Sequence, residues 1–472
     1  MKFKHTIFLF LSFLFIYSCD DDNSNTYILD ASNDAQIYSF TIKASHPKTG
    51  DSISRAQDSI RFLSFNRKNY AIDQLKSEIY NPDSLPYGLA LKKVKMTLTF
   101  NKTYGASKVE IQHPDSAGYR EWDTKDSVDF SKNSLKIRVT APNGNNKEYN
   151  VRLLIHQIDP DLMTWQSIGN LPLDNITNIK TLIVNNTFYV FANTVDMHTT
   201  VLFKSDMSGK NWEQKSVNGL SGGMPLTENP RNIYFHKGKF YINWLNRLHT
   251  SNDGENWTDQ PNNENYEISG IYGVIPNSSE EKDVLLVGIQ EGSNYYYGIT
   301  SDGSSIAKID RIPDSPNNNT IGSDFPLTGY SSISVRSADR NKNYLVIVGG
   351  VNNSNPLGST WLITSDGNGI ERTSTKSNPY FKGIGLSAFM YNNQIYVLNE
   401  NQFYISSSWG QSWIKASDKQ KPDTGIAIRN YQSVAVDDKN NIWLFGGNRI
   451  GGNTSPYLND IWKGRLNSLI VN

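Results

Sequence analysis

Asn185-Asn186-Thr187-Phe188-Tyr189-Val190 sets two turn-prone polar residues directly before an aromatic and aliphatic strand. The arrangement returns as Lys237-Gly238-Lys239-Phe240-Tyr241-Ile242, Asn392-Asn393-Gln394-Ile395-Tyr396-Val397 and Lys439-Asn440-Asn441-Ile442-Trp443-Leu444. Looser copies stand at 283–287 and 343–347. With Tyr189, Tyr241, Leu286, Leu345, Tyr396 and Trp443 taken as equivalent, the steps are 52, 45, 59, 51 and 47 residues. Periods near 50 that hold about four strands each predict propeller blades, and this count predicts a six-bladed β-propeller over residues 160–472.

A second element follows each of these strands. Thr250, Asn252, Gly254 and Trp257 have the spacing of an Asp-box, a turn of sialidase-like propellers, with Asn in the Asp place. Ser406, Ser408, Gly410 and Trp413 resemble it with Ser there, and Ser205, Met207, Gly209 and Trp212 with Met. Thr300 to Gly303 and Thr364 to Gly367 keep the turn without the Trp. Gly446-Gly447 before Asn459-Asp460-Ile461-Trp462, and Gly349-Gly350 before Trp361, resemble kelch blades. These residues are read as structural, with Gly allowing a left-handed turn, the polar residue capping it and Trp packing between blades. A ring that stayed open would leave an unpaired edge. Residues 163–168, with Trp165, resemble an outer strand and are expected to complete the last blade beside 461–466.

Residues 27–159 read as an Ig-like β-sandwich, so the whole chain is expected to be all-β. Alternating runs at 37–42, 94–100, 109–113, 135–140 and 149–155 predict strands, and Pro142-Asn143-Gly144-Asn145-Asn146 predicts a hairpin turn. Ile72, Leu75 and Ile79 share a helical period, which predicts a short helix over 71–80 ended by Pro82.

At the start of the chain, Lys2, Lys4 and His5 precede an apolar run over 7–17, too short for a permanent span, which predicts a signal peptide at 1–18. Ile16-Tyr17-Ser18-Cys19 resembles the lipobox of bacterial lipoproteins, in which the Cys19 thiol takes a lipid. Asp20, Asp21 and Asp22 resemble the surface-export signal of Bacteroidota lipoproteins, and 19–26 reads as a lipidated acidic tether. That resemblance implies an outer-membrane protein that faces the cell exterior, its membrane contact made through the lipid.

Composition narrows the chemistry. Lys plus Arg and Asp plus Glu both total 46, so no charge excess argues for a nucleic-acid partner. Cys19 is the only cysteine, so once lipidated it leaves no thiol for catalysis, and the 7 His stand singly, without zinc or iron spacing. No metal and no cofactor is expected. Lipid anchor, acidic tether, small sandwich and Trp-rich propeller together resemble an uncharacterised Bacteroidota surface lipoprotein family, most closely in Ile79-Tyr80-Asn81-Pro82-Asp83-Ser84-Leu85-Pro86-Tyr87-Gly88.

Long segments between predicted blades mark one propeller face as the binding face, because irregular loops on a rigid scaffold are where ligands are met. Arg231, Tyr330, Arg429 and Tyr431 end blade-to-blade loops, and Trp244, Arg247, Arg449 and Tyr457 belong to second-to-third loops. Aromatic faces stack on sugars and arginines bond hydroxyls or carboxylates, so these eight are the ligand-binding candidates, for a glycan or an outer-membrane protein partner. A sialidase-like enzyme is the other reading, with Arg231, Arg429 and Arg449 cast as a carboxylate clamp and Tyr431 as nucleophile. Against it, 179–184 holds only Lys180 where that family places an arginine. No residue is assigned a catalytic role, and a non-catalytic binding or scaffold module is the leading expectation.

If Cys19 carries the whole anchor, Cys19→Ser moves the protein from the membrane fraction to the soluble one. Retention of the variant in washed membranes counts against lipidation there.

Overall fold

The computed structural model describes residues 31–44, 69–85, 87–89, 91–195, 200–220, 233–260, 266–313, 324–336, 343–375, 378, 380–451 and 455–469. The expected signal peptide, Cys19 and the acidic tether lie outside these residues, as does Arg231. Contacts divide the chain into two units between Gln157 and Ile158.

In the first unit, Ser39–Ala44, Val94–Thr99 and Ser127–Val128 form one sheet. A second sheet runs in the order Ala71–Asp73, Glu78–Tyr80, Asn146–Arg152, Ser134–Thr140, Lys108–Gln112 and Arg120–Glu121. Alternation along each strand sends Phe40, Ile42, Val94 and Met96 from one sheet, and Ile79, Ile111, Ile137, Tyr149 and Val151 from the other, into a shared core. The expected hairpin forms, with Thr140 opposite Asn146 and Gly144 left-handed at φ 88°.

The helix expected over 71–80 is instead a hairpin, Ala71–Asp73 paired with Glu78–Tyr80. The Asp73 carboxylate accepts the N–H groups of Leu75 and Lys76, which in a helix running through 71–80 would bond to carbonyls four residues back, and Ser77 takes φ 54°, which no right-handed helix allows. Leu75, needed on the helix's apolar face, is 98% exposed. Pairing of Glu78–Tyr80 alongside Asn150 to Arg152 in parallel outweighs the helical period.

In the second unit the described residues form six antiparallel sheets in succession. The first is Ile176–Val184, Thr187–Thr194, Val201–Asp206 and Glu213–Lys215. The second is Tyr234–His236, Lys239–Trp244, Arg247–Ser251 and Thr258–Asp259. The third is Glu267–Ile275, Val284–Glu291, Asn294–Thr300 and Ala307–Ile312. The fourth has Thr328–Arg336, Asn343–Asn352, Thr360–Ser365 and Ile370–Ser374, and the fifth Ser387–Tyr391, Gln394–Asn399, Gln402–Ser406 and Ile414–Lys415. Ser433–Val436 and Arg429–Asn430, Ile442–Arg449 and Tyr457–Leu466 make the sixth, completed by Met163–Asn170.

Every residue of the equivalent set from Tyr189 to Trp443 lies on the second strand of its sheet. These strands are covered on both faces and therefore read as nearly unbroken apolar runs, as in Val284 to Ile289, whereas outer strands such as Ala307–Ile312 are largely exposed. No single core holds the unit. Residues from consecutive sheets interleave instead: Phe188 and Val190 with Trp443 and Phe445, Phe191 with Phe240 and Trp257, Leu286 with Leu345 and Trp361. First strands also touch in a cycle, each against the next, with Ser433–Val436 returning to Ile176–Val184.

The first-to-second connections are the polar pairs that open the repeats. Asn185 and Asn186 take φ 51° and 56°, Asn392 and Asn393 take 48° and 56°, the two left-handed residues of a type I′ hairpin. Turns after the third strands cap themselves. Around Gly254, the Ser251 hydroxyl accepts its N–H at 2.9 Å, the Asp253 carboxylate accepts those of Glu255 and Asn256, and the Trp257 indole donates to the Gly254 carbonyl at 3.0 Å. Burial disfavours the Asp253 carboxylate, but these donors outweigh it and hold its pKa well below the usual range. Asp253, rather than Asn252, is thus the acidic cap. Trp257 and Trp413 are buried, in keeping with their expected packing role.

Met163–Asn170 pairs antiparallel with Tyr457–Leu466, Met163 opposite Leu466 and Trp165 opposite Gly464. The Trp165 ring covers Gly464 so closely that a Cβ there would lie 2.7 Å from three ring atoms. Gly464→Ala must push the ring away, and its expected cost is about 1–2 kcal/mol. An unchanged urea midpoint for this variant would show that the Trp165 contact does not hold the closing strand.

Candidate functional site

Four of the eight predicted ligand-binding residues meet at one end of the sixth sheet. Arg429 stands opposite Arg449 across the ladder, Tyr457 pairs with Asn448 on the far side, and Tyr431 follows directly after Arg429–Asn430. Of the others, Arg231 lies outside the described residues, Trp244 and Arg247 flank the Leu245-Asn246 turn of the second sheet, and Tyr330 is on the fourth.

Three of the candidates are structural. Arg429 is fully buried, and its guanidinium grips Asp460 through two bonds, Nη1 to Oδ1 at 2.5 Å and Nη2 to Oδ2 at 2.7 Å. Further bonds run from Nη1 to the Gly446 carbonyl and from Nε to the Ala427 carbonyl, so four of its five N–H donors are spent on its own sheet and the loop that leads into it. Trp244, 2% exposed, packs with Phe240, Ile242 and Trp257 between the first and second sheets and offers no face to a ligand. Tyr330 is buried, stacks on Tyr272 with centroids 4.6 Å apart, and donates its hydroxyl to the Ile271 carbonyl. Desolvation raises its pKa well above that of a free phenol. For Trp244 and Tyr330 the ring that suits a ligand also suits an inter-sheet core, and for Arg429 the guanidinium that suits a carboxylate ligand is taken by Asp460 of the same sheet.

The remaining candidates among the described residues, Arg247, Tyr431, Arg449 and Tyr457, stay nearer the surface. Arg247 is exposed and pairs with Asp259 at 2.8 Å. Tyr431 is half-buried with φ 56°, its N–H donating to the Gly385 carbonyl at 3.0 Å. Arg449 and Tyr457 are half-buried at the mouth of the Ile450 to Pro456 connection, and the Arg449 Nε is buried without a hydrogen-bond partner. The carboxylate clamp cast from Arg231, Arg429 and Arg449 therefore lacks its middle member.

At the inner strands lies a cavity of about 50 Å³, lined among others by Lys180, Tyr234, Ser332, Ser387, Gln432 and Ser433. That volume holds a few waters and no sugar ring. Its hydroxyls tie neighbouring sheets: Ser433 accepts the Thr181 N–H, Ser331 the Ala388 N–H, and Ser387 donates to the Gln432 carbonyl. Among the described residues no group of three His, Cys, Asp or Glu side chains could hold a metal ion, and no helix is long and apolar enough to cross a membrane.

Sequence reasoning passed over Asp460, which it read only as part of a kelch-like turn, and the sheet of the first unit. There a cavity of about 440 Å³ opens over Glu78, Tyr80, Gln112, Lys136, Asn150 and Arg152. Polar residues alternating with core residues along three neighbouring strands were the available signal.

Together these features define an all-β protein whose second unit is a β-propeller. The chain belongs to the DUF6242 family: residues 159–472 match the DUF6242 beta propeller domain and residues 40–153 the DUF6242 N-terminal domain. No curated protein matches it by sequence. Among solved structures it is similar to YjhT, at 12% identity and TM-score 0.43 over 62% of this chain and 95% of that one. It is also similar to a fungal alcohol oxidase of the AA5 family in complex with copper, at 10% identity and TM-score 0.40 over 65% and 76%. A third is XC5397 from Xanthomonas campestris, described as a gluconolactonase, at 8% identity and TM-score 0.41 over 65% and 91%.

If Arg429 serves the fold, Arg429→Met lowers stability by about 2–3 kcal/mol, less than the roughly 3–5 of a fully buried pair because Asp460 keeps some solvent contact. Denaturation with urea reads the change, and wild-type stability in the variant would return Arg429 to the ligand-binding set.

Proposed function

We propose that this protein is a lipoprotein anchored through Cys19 to the outer membrane and exposed to the cell exterior, where it acts as a non-catalytic binding or scaffold module. In this reading the first unit is an Ig-like sandwich and the second a six-bladed propeller of kelch and Asp-box type. Its ligand is a glycan or an outer-membrane partner, met through the loop end of the sixth blade.

The observation that carries it is the pair of hydrogen bonds that Arg429 donates to the Asp460 carboxylate. A carboxylate-clamping enzyme of sialidase type needs arginines whose donors face the substrate, and here the central one is committed to its own blade. Arg449 and Tyr457 remain at the mouth of the same blade, a guanidinium and a ring suited to hydrogen bonding and stacking. Six successive sheets with first strands in cyclic contact support the blade count. The lipobox-like Ile16-Tyr17-Ser18-Cys19 and the acidic run after it support the address.

A glycan array probed with the chain starting after Asp22, run beside a hydrolysis screen on the same glycans, tests the reading. Binding without turnover is expected, weakened at least 10-fold by Arg449→Ala or Tyr457→Ala with the melting temperature little changed. Turnover that survives in a repurified sample would replace the binding module with an enzyme.

A further inference from the structure

We propose that the first unit holds a second, separate ligand site: the 440 Å³ cavity on the outer face of its six-stranded sheet, which takes a sugar bearing a carboxylate. The cavity has the volume of a small-molecule site. Its floor is set by strand register. Glu78, Asn150, Lys136 and Gln112 stand side by side across four strands, and Tyr80, Arg152 and Ser134 form the next row on the same face.

That face divides into two halves. In one, Lys108, Glu110, Arg138 and Glu148 satisfy each other: Lys108 to Glu110 at 2.9 Å, Arg138 to Glu148 at 2.7 Å and to Glu110 at 4.0 Å, with the Arg138 guanidinium 3.7 Å above the Tyr119 ring. In the other half, under the cavity, Lys136, Arg152 and Glu78 make no ion pair with any described residue. Glu148, whose carboxylate also feels the charge of Lys136, is already held by Arg138. Two cations outside any ion pair thus flank a concave polar surface, a complement to a carboxylate.

The remaining lining selects the rest of the ligand. Asn150, Gln112 and Ser134 offer paired donors and acceptors of the kind sugar hydroxyls need, and Tyr80 supplies a ring for a pyranose face. Glu78 accepts from hydroxyls and disfavours a polyanion such as nucleic acid. A peptide added as a strand needs a sheet edge, whereas this cavity lies over central strands, the edges being Ala71–Asp73 and Arg120–Glu121.

Calorimetric titration of the full chain with galacturonate and glucuronate trisaccharides, and with their neutral galactose and glucose counterparts, tests the proposal. At least one uronate is expected to bind, at least 10-fold more tightly than its neutral counterpart, and to weaken as salt rises from about 50 to 500 mM. Arg152→Gln and Lys136→Gln should each reduce affinity at least 10-fold with the melting temperature unchanged, because both side chains are exposed. Should either variant unfold, Arg152→Lys, which keeps the charge, must retain part of the binding. Equal binding of neutral and acidic sugars, binding that persists in the double variant, or no binding of either uronate overturns it.

Discussion

The pairing of Met163–Asn170 with Tyr457–Leu466 is the contact on which the second unit depends. Each sheet is stable only because a neighbour covers each of its faces, and each inter-sheet core is built half from one sheet and half from the next. A series of such sheets has two ends. Bringing the start of the unit onto the outer edge of its last sheet makes the two ends one object, and the core of Phe188, Phe445 and Trp443 joins the first sheet to the sixth. Without that strand, Tyr457–Leu466 would expose a row of unpaired N–H and carbonyl groups.

The turns between strands work as spacers. The Gly254 turn packs against Phe191, Leu202 and Tyr189 of the preceding sheet, where a Cβ would sit tightly at 3.2–3.4 Å, and Gly410 against Thr360 and Val346 of the sheet before it, where a Cβ would lie 2.8 Å from Thr360. The same turns hold their indole rings in place through bonds such as Trp257 to the Gly254 carbonyl. The turns that the sequence marks as structural are thus contacts between neighbouring sheets as well as caps of their own strands.

How far function could be read from the sequence follows from the same physics. The repeat was legible because each second strand is buried on both faces, so Tyr189, Tyr241, Leu286, Leu345, Tyr396 and Trp443 had to be large and apolar at a recurrent spacing. The closing strand was legible from the need to cover an edge. Site residues were not, because Arg429 and Trp244 lie at loop ends in sequence yet point into the protein, and nothing in a single chain tells Arg429 that Asp460 waits 31 residues further on. The hairpin at 71–80 was misread for a related reason. Ile72, Leu75 and Ile79 fit a helical period, but the deciding partner, Asn150 to Arg152, is remote in sequence.

Closure also dictates the order in which this molecule can be completed. Thr164 donates its hydroxyl to the carbonyl of Arg465, 301 residues away. A chain that emerges from a ribosome or a translocation pore N-terminus first delivers one partner of that ladder at the beginning and the other only at the end. Through the whole interval the early strand has no mate, and five sheets can assemble before the sixth is finished. The seam between residues 163–170 and 457–466 is therefore the one left open longest to strand exchange with a second nascent copy.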